Sequence, residues 1–166
     1  MNSLVVYESL WGNTAAIAHA IAEGLEPGSR AYYTDEAPAE AAKSADLIVA
    51  GSPVLAFMLP SEKMRADLAA KGEGPTPPDV SHVSMRSWLE ELPAGRASFA
   101  SFETRISWSP RGATSTIDKR MKKLGYVPLD TGKQFLVTDR YGPLADGEIE
   151  RAREWGAELA RKMQDT

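Results

Sequence analysis

Two apolar runs limit what this chain can become. Leu4, Val5, Val6 and Tyr7 follow one another without a polar break, and Leu47, Ile48, Val49 and Ala50 do the same. A strand with one wet face alternates apolar and polar residues, whereas one that is apolar throughout is covered on both faces, as in a parallel sheet between two helix layers. After the first run, Ile17, Ile21 and Leu25 recur at helical spacing with Ala20 beside them, and Pro27-Gly28 closes the stripe. The unit is strand, tight turn, helix.

The alternation continues. Residues 30–34 ("RAYYT") predict a short strand, 38–45 a short helix and 46–53 ("DLIVAGSP") a second buried strand. Two helices follow, over 60–72 with Gly72 as its stop and over 84–92 with Ser84 as its N-cap. The proline-rich loop 72–83 between them is a surface excursion. Residues 96–103 predict a strand, 114–125 a helix with Ile117, Met121 and Leu124 on one face, and 134–138 a fifth strand. The last helix starts near Asp146 and carries Ile149, Ala152, Gly156, Leu159 and Met163 on one stripe, with Arg161 and Lys162 near its C-terminus, where the helix dipole favours them. The expectation is a single α/β domain over 1–166, three layers deep, with a doubly wound five-stranded parallel sheet. Such sheets bind ligands beyond the carboxyl ends of their strands, at the point where strand order reverses.

Composition excludes several functions. The chain has 23 acidic and 19 basic residues, a net charge of -4, which is the wrong sign for a dedicated nucleic-acid binder. It has no cysteine, so disulfides, thiolate nucleophiles and Cys-based metal sites are ruled out. Acidic residues show no paired-carboxylate or metal-ligand spacing, and neither His19 nor His82 stands in a catalytic pattern; no catalytic or metal residue is assigned. No basic region with a cleavage site opens the sequence and no apolar run reaches the roughly 18 residues of a membrane span. The expectation is a cytoplasmic protein without membrane contact.

The junction after the first strand, "SLWGNT", is the strongest chemical signal. Ser9, Asn13 and Thr14 carry polar side chains, and the backbone amides from Leu10 to Thr14 lie at a helix N-terminus, an arrangement suited to a phosphate. Neither the Walker "GK[ST]" nor the three-glycine dinucleotide fingerprint is present. Helix capping alone accounts for the same residue types, so both readings stand at this point.

"SLWGNT" also resembles the phosphate loop of the flavodoxins, "ADLIVAGSPV" resembles their third strand with its loop, and "FLVTDRYGPLADGEIERAREWGAELA" their last strand, loop and helix. The three stretches occur in order across nearly the whole chain. The resemblance implies strand order 2-1-3-4-5 and FMN as cofactor, its phosphate on Ser9, Leu10, Trp11, Gly12, Asn13 and Thr14. It places the flavin ring between two loops, one offering Pro53, Val54, Leu55 and Phe57 and the other Thr104, Arg105 and Trp108. Both loops depart from the family's Trp/Tyr pair, leaving Leu55, Phe57 or Met58 opposite Trp108; core packing is the plainer role for Phe57 and Met58.

Two expectations about redox tuning follow from the resemblance. In the family a peptide of the first ring loop turns over as the flavin is reduced, and a glycine makes that cheap. None occurs between Pro53 and Pro60, and a non-glycine residue at positive φ costs roughly 1–2 kcal/mol, so the one-electron-reduced flavin should gain less stabilisation than usual. Arg105 or Arg111, if either reaches the ring, would favour the negative charge of the reduced flavin.

The resemblance implies an electron-transfer protein working with redox partner proteins, expected as a monomer. An FMN-dependent NAD(P)H quinone or flavin reductase is the alternative within the fold, and a flavin-free binding module is the alternative outside it.

Overall fold

The computed structural model describes residues 1–130 and 132–166. In chain order it holds β1 (Ser3–Tyr7), α1 (Asn13–Leu25), β2 (Ala31–Tyr33), a 3-10 turn (Ala39–Ser44), β3 (Leu47–Pro53), α2 (Glu62–Lys71), α3 (Met85–Glu91), β4 (Ser98–Ile106), α4 (Thr114–Lys123), β5 (Val127–Pro128), β6 (Lys133–Val137) and α5 (Glu148–Gln164). All strand pairs in the sheet are parallel, in the order β2-β1-β3-β4-β5, with β6 also on β4. The expected order 2-1-3-4-5 is therefore present, and its switch point lies between β1 and β3.

The period-2 geometry of strands divides the apolar runs between two cores. Val5, Tyr7, Leu47 and Val49 face α1 and α5, where Ile17, Ile21, Trp155 and Leu159 are buried. Leu4, Val6, Ile48 and Ala50 face the other way, onto Met85, Trp88, Ile117 and Met121 of α3 and α4. β3 is buried at every residue, as a run covered on both faces requires.

Several boundaries differ from the sequence reading. The short helix expected over 38–45 is present as a 3-10 helix at Ala39–Ser44; a threefold repeat suffices to bury Ala39 and Ala42 together. β4 runs on to Ile106, so Thr104 and Arg105 are strand residues and not loop residues. The fifth position of the sheet is split: Val127–Pro128 pairs with Ser98 and Phe99, and Lys133–Val137 pairs with Phe102 to Ile106. Pro128 donates no N–H and falls on this short edge piece, where proline is tolerated. The last helix takes Gly147 as its N-cap, not Asp146, and Ile149 is exposed while Trp155 completes the buried stripe. Gly72 at φ 60° and the Ser84 cap, which accepts from the Ser87 N–H, are as expected.

α1 and α5 touch backbone to backbone. A Cβ on Gly156 would lie 2.2 Å from the Ile21 carbonyl oxygen, and one on Gly24 would lie 2.0 Å from that of Arg153. Neither neighbour is a flexible side chain, so the helices themselves must separate. Gly156→Ala is expected to destabilise the fold by about 1–3 kcal/mol, lowering Tm by roughly 2–4 °C per kcal/mol in a domain of this size. Urea unfolding checks it, and an unchanged midpoint would show that the two helices are not in close contact.

Candidate functional site

At the carboxyl ends of β3, β4 and β6 the chain opens a cleft of about 480 Å³, within the range of small-ligand sites. Its apolar wall comes from Val54, Leu55, Phe57, Ile106 and Trp108, and Asn13 joins it to the first loop.

The first loop is more internally bonded than its sequence suggests. Ser9 is buried, and its Oγ accepts from the N–H groups of Gly12 (3.1 Å) and Ala15 (3.2 Å). The hydroxyls of Thr14 and Thr104 meet at 2.8 Å, pinning the loop to the end of β4. Asn13 Nδ2 donates to the Tyr141 carbonyl at 3.0 Å. Trp11 is held among neighbouring loops: its Nε1 donates to the Thr76 carbonyl (3.2 Å) and its ring meets Tyr141 edge-on at 4.8 Å. Leu10 packs with Leu55 and Leu68, and Gly12 takes φ 91° in the open. Capping therefore accounts for part of the loop. It does not account for Asn13 and Thr14, whose backbone N–H groups open α1 and find no acceptor among the described residues. That pair of donors at a helix N-terminus fits a phosphate oxygen.

The ring loops meet the sequence expectations unevenly. Val54, Leu55, Phe57, Thr104, Arg105 and Trp108 all line the cleft, whereas Pro53 is buried at the end of β3 and does not. Phe57 and Trp108 approach each other at 5.8 Å with planes 69° apart, so Phe57 belongs to the cleft rather than the core. Met58 is 40% exposed and so is not core either. Ala56 and Phe57 have φ values of 44° and 65°, and Leu55 and Met58 exchange two hydrogen bonds of 3.0 Å across them. This is the sign pattern of a type I′ turn, normally built from Asn-Gly. Arg111 is exposed and lies outside the cleft lining. Arg105 reaches the cleft but is not a free cation, because Glu103 Oε1 stands 3.1 Å from its Nη1.

Sequence reasoning missed the contribution of α2 and of the loop after β6. Met64, Asp67 and Lys71 form one wall and Thr138 to Arg140 another. Lys71 has no ion-pair partner among the described residues, while Arg140 faces Glu73 at 3.4 Å. Apart from being the last residue of an expected helix, nothing in the pattern marks Lys71.

α2 is anchored by a buried charge. Arg65 donates to Glu62 (3.1 Å) and to the carbonyls of Val80 (3.4 Å) and His82 (2.5 Å), and its Nε lies 3.0 Å from Glu8 Oε1, though neither of those two atoms is aligned for a hydrogen bond. Glu8, the residue before the loop, is 1% exposed. Burial raises its carboxyl to about 7, outweighing the pull of Arg65, the Met85 N–H and the Ser52 hydroxyl. No group of three or more His, Cys, Asp or Glu residues is placed to hold a metal ion, and no helix is long and apolar enough to cross a membrane, among the described residues.

A search of solved structures returns proteins of the same architecture. The fold is flavodoxin-like. A flavodoxin from the domain Archaea matches 99% of this chain and 99% of its own at 20% identity and a TM-score of 0.65. Flavodoxin 2 from Bacillus cereus matches 98% and 99% at 17% identity and 0.67, and a flavodoxin, WrbA-like protein from Agrobacterium tumefaciens matches 99% and 98% at 21% and 0.59. No family model matches the chain, and no curated protein matches it in sequence.

The Glu8 carboxyl carries a pH signature. With its folded pKa raised to about 7, the folded state holds a proton that the unfolded chain releases at ordinary carboxylate values. Its stabilising contribution is fully present below that range and lost as pH rises through about 7. Stability measured between pH 5 and 8 is expected to fall with a component that Glu8→Gln removes. Arg65→Met, which strands the carboxylate, is expected to cost about 3–5 kcal/mol at pH 8 and less at pH 5. Equal costs at the two pH values would refute this assignment.

Proposed function

We propose that this chain binds FMN non-covalently in the cleft and serves as an electron-transfer protein for redox partner proteins. The observation that carries the reading is the junction of two features: N–H groups of Asn13 and Thr14 at the start of α1 that find no acceptor among the described residues, and an apolar cleft between Phe57 and Trp108 that begins beside them. A phosphate and a flat aromatic ring need those two environments at that adjacency. In this reading the phosphate lies on the loop from Ser9 to Thr14, with the Ser9 hydroxyl still able to donate its proton. Val54, Leu55, Phe57 and Trp108 enclose the ring. The polar donors of the cleft, Thr104 and Arg105, orient its edge. When bound, the cofactor supplies the redox chemistry; the chain binds it, orients it and limits its contact with water.

Lys71 and Arg140 favour a second reading, an FMN-dependent reductase that takes hydride from NAD(P)H. Cations on two walls of the cleft would meet the phosphates of a nicotinamide nucleotide, whereas an electron carrier has no need of them there. NADPH added without air separates the two, since it bleaches the flavin of a reductase and leaves that of a carrier oxidised.

The test of the shared premise is the visible spectrum of the purified chain after excess FMN is added and unbound FMN removed. Stoichiometric retention is expected. Trp108→Ala and Phe57→Ala are each expected to weaken FMN up to about tenfold, the worth of one aromatic contact. A folded protein that retains no flavin would move the flavin-free binding module to first place.

A further inference from the structure

Glu103 is the most completely enclosed carboxylate in this part of the molecule, with its side chain at 0% exposure. It projects from β4 two residues before Arg105, on the same face of the strand. Its Oε2 accepts from the backbone N–H groups of Ala113 (2.6 Å) and Thr114 (2.9 Å), the first turn of α4, whose own N-cap position offers no side-chain acceptor. Its Oε1 accepts from Arg105 Nη1 at 3.1 Å. Gly112 closes over the carboxylate so tightly that a Cβ there would lie 2.1 Å from Oε1.

Arg105 passes this restraint onward. Its Nη2 donates to the Ser109 carbonyl, and Ser109 in turn bonds through its N–H to the Ile106 carbonyl (3.2 Å) and through its hydroxyl to that of Arg111 (2.6 Å). The loop so braced carries Trp108, which stands 70% exposed at the rim of the cleft. One donor is left over: Arg105 Nε is buried, without a hydrogen-bond partner among the described residues, in a side chain that lines the cleft and is itself only 10% exposed.

From this chain of contacts we infer that Glu103 is a positioning residue for the cleft: through Arg105 it holds the Trp108 loop in place, and it cancels the guanidinium charge so that Arg105 faces the ligand as a neutralised hydrogen-bond donor. The inference deepens the FMN reading of the cleft and rests on it only for the identity of the ligand. It replaces the simpler idea of a cation beside the flavin. An uncompensated Arg105 would favour the negative charge of a reduced ring; a compensated one orients the ring with little bias between its charge states.

The experiment uses the full chain without flavin. Glutamine at 103 keeps one acceptor oxygen and turns the other into a donor, so it satisfies either α4 or Arg105 but not both. In Glu103→Gln, amide exchange is expected to rise roughly tenfold, as for a lost helix cap, either at Ala113 and Thr114 or at Ser109, according to which contact the remaining oxygen keeps. Quenching of Trp108 fluorescence by iodide, taken relative to neutral acrylamide and assigned by difference from Trp108→Phe, is expected to rise because the Arg105 charge is uncovered. The double variant E103Q/R105Q is expected to return that ratio to the wild-type value. Should E103Q fail to fold, Arg105→Gln alone decides: exchange rises at Ser109 and the iodide ratio falls, since Glu103 is then the uncompensated charge. Unchanged exchange, or an iodide ratio indifferent to these substitutions, overturns the inference. A wild-type chain that takes up no flavin would overturn the FMN reading alone, because both comparisons here are made without it.

Discussion

The structure depends on β1 and β3 being buried from both sides. Once Val5 and Val49 belong to one core and Val6 and Ala50 to the other, no polar group can reach solvent through the middle of the sheet. Chemistry is confined to the strand ends. The right-handed crossovers of a parallel sheet then send the chain to opposite faces from β1 and β3, and the gap this leaves between their following loops is where the cleft opens. The polar residues of "SLWGNT" and the aromatic residues of the ring loops are brought together by that topology and not by their spacing in sequence.

Confining polar groups to the strand ends also explains the two buried carboxylates. Glu8 follows β1 and Glu103 lies near the carboxyl end of β4, each at 0–1% exposure and each facing an arginine. They solve the burial problem differently. Glu103 is fully bonded, with three N–H donors on its two oxygens, as a buried charge must be if it is not to be destabilising. Glu8 has weaker hydrogen bonds, at 3.3 and 3.4 Å, and a guanidinium that is close but misaligned. Removing two charges from water costs more than such a contact returns, which is why burial dominates at Glu8.

What could be read from the sequence follows the range of the interaction responsible. The Gly72 helix stop and the Ser84 cap are encoded within a few residues, and the sequence reading located them; the strand order came from the family resemblance. The cleft residues Val54, Leu55, Phe57, Thr104, Arg105 and Trp108 were legible through the family resemblance, and they meet because they lie at or just beyond the ends of β3 and β4. The anchoring of α2 was not, since Glu8 and Arg65 are 57 positions apart and neither stands in a pattern that announces the other. The pairing of Arg105 with Glu103 was not legible for a related reason. A charged residue at i+2 along a strand looks solvated until one knows that both faces of that strand are covered. The split of the last strand was hidden because Val127-Pro128 is too short to show any periodicity.

The turn at Ala56 and Phe57 shows what the sequence could identify and what it could not weigh. The absence of glycine between Pro53 and Pro60 was evident, as was the cost of positive φ without it. What the sequence could not supply is that both residues already occupy the left-handed region, so that this cost, roughly 1–2 kcal/mol for each residue, is carried by the resting fold. Two hydrogen bonds between Leu55 and Met58, the burial of Leu55 against Leu10 and Leu68, and the contact of Phe57 with Trp108 offset it. Strain retained in this way is tolerated where the surroundings over-determine the backbone. The first ring loop is thereby set from three sides: by the satellite core beneath it, by its own hydrogen bonds, and by the aromatic ring that Glu103 and Arg105 hold opposite.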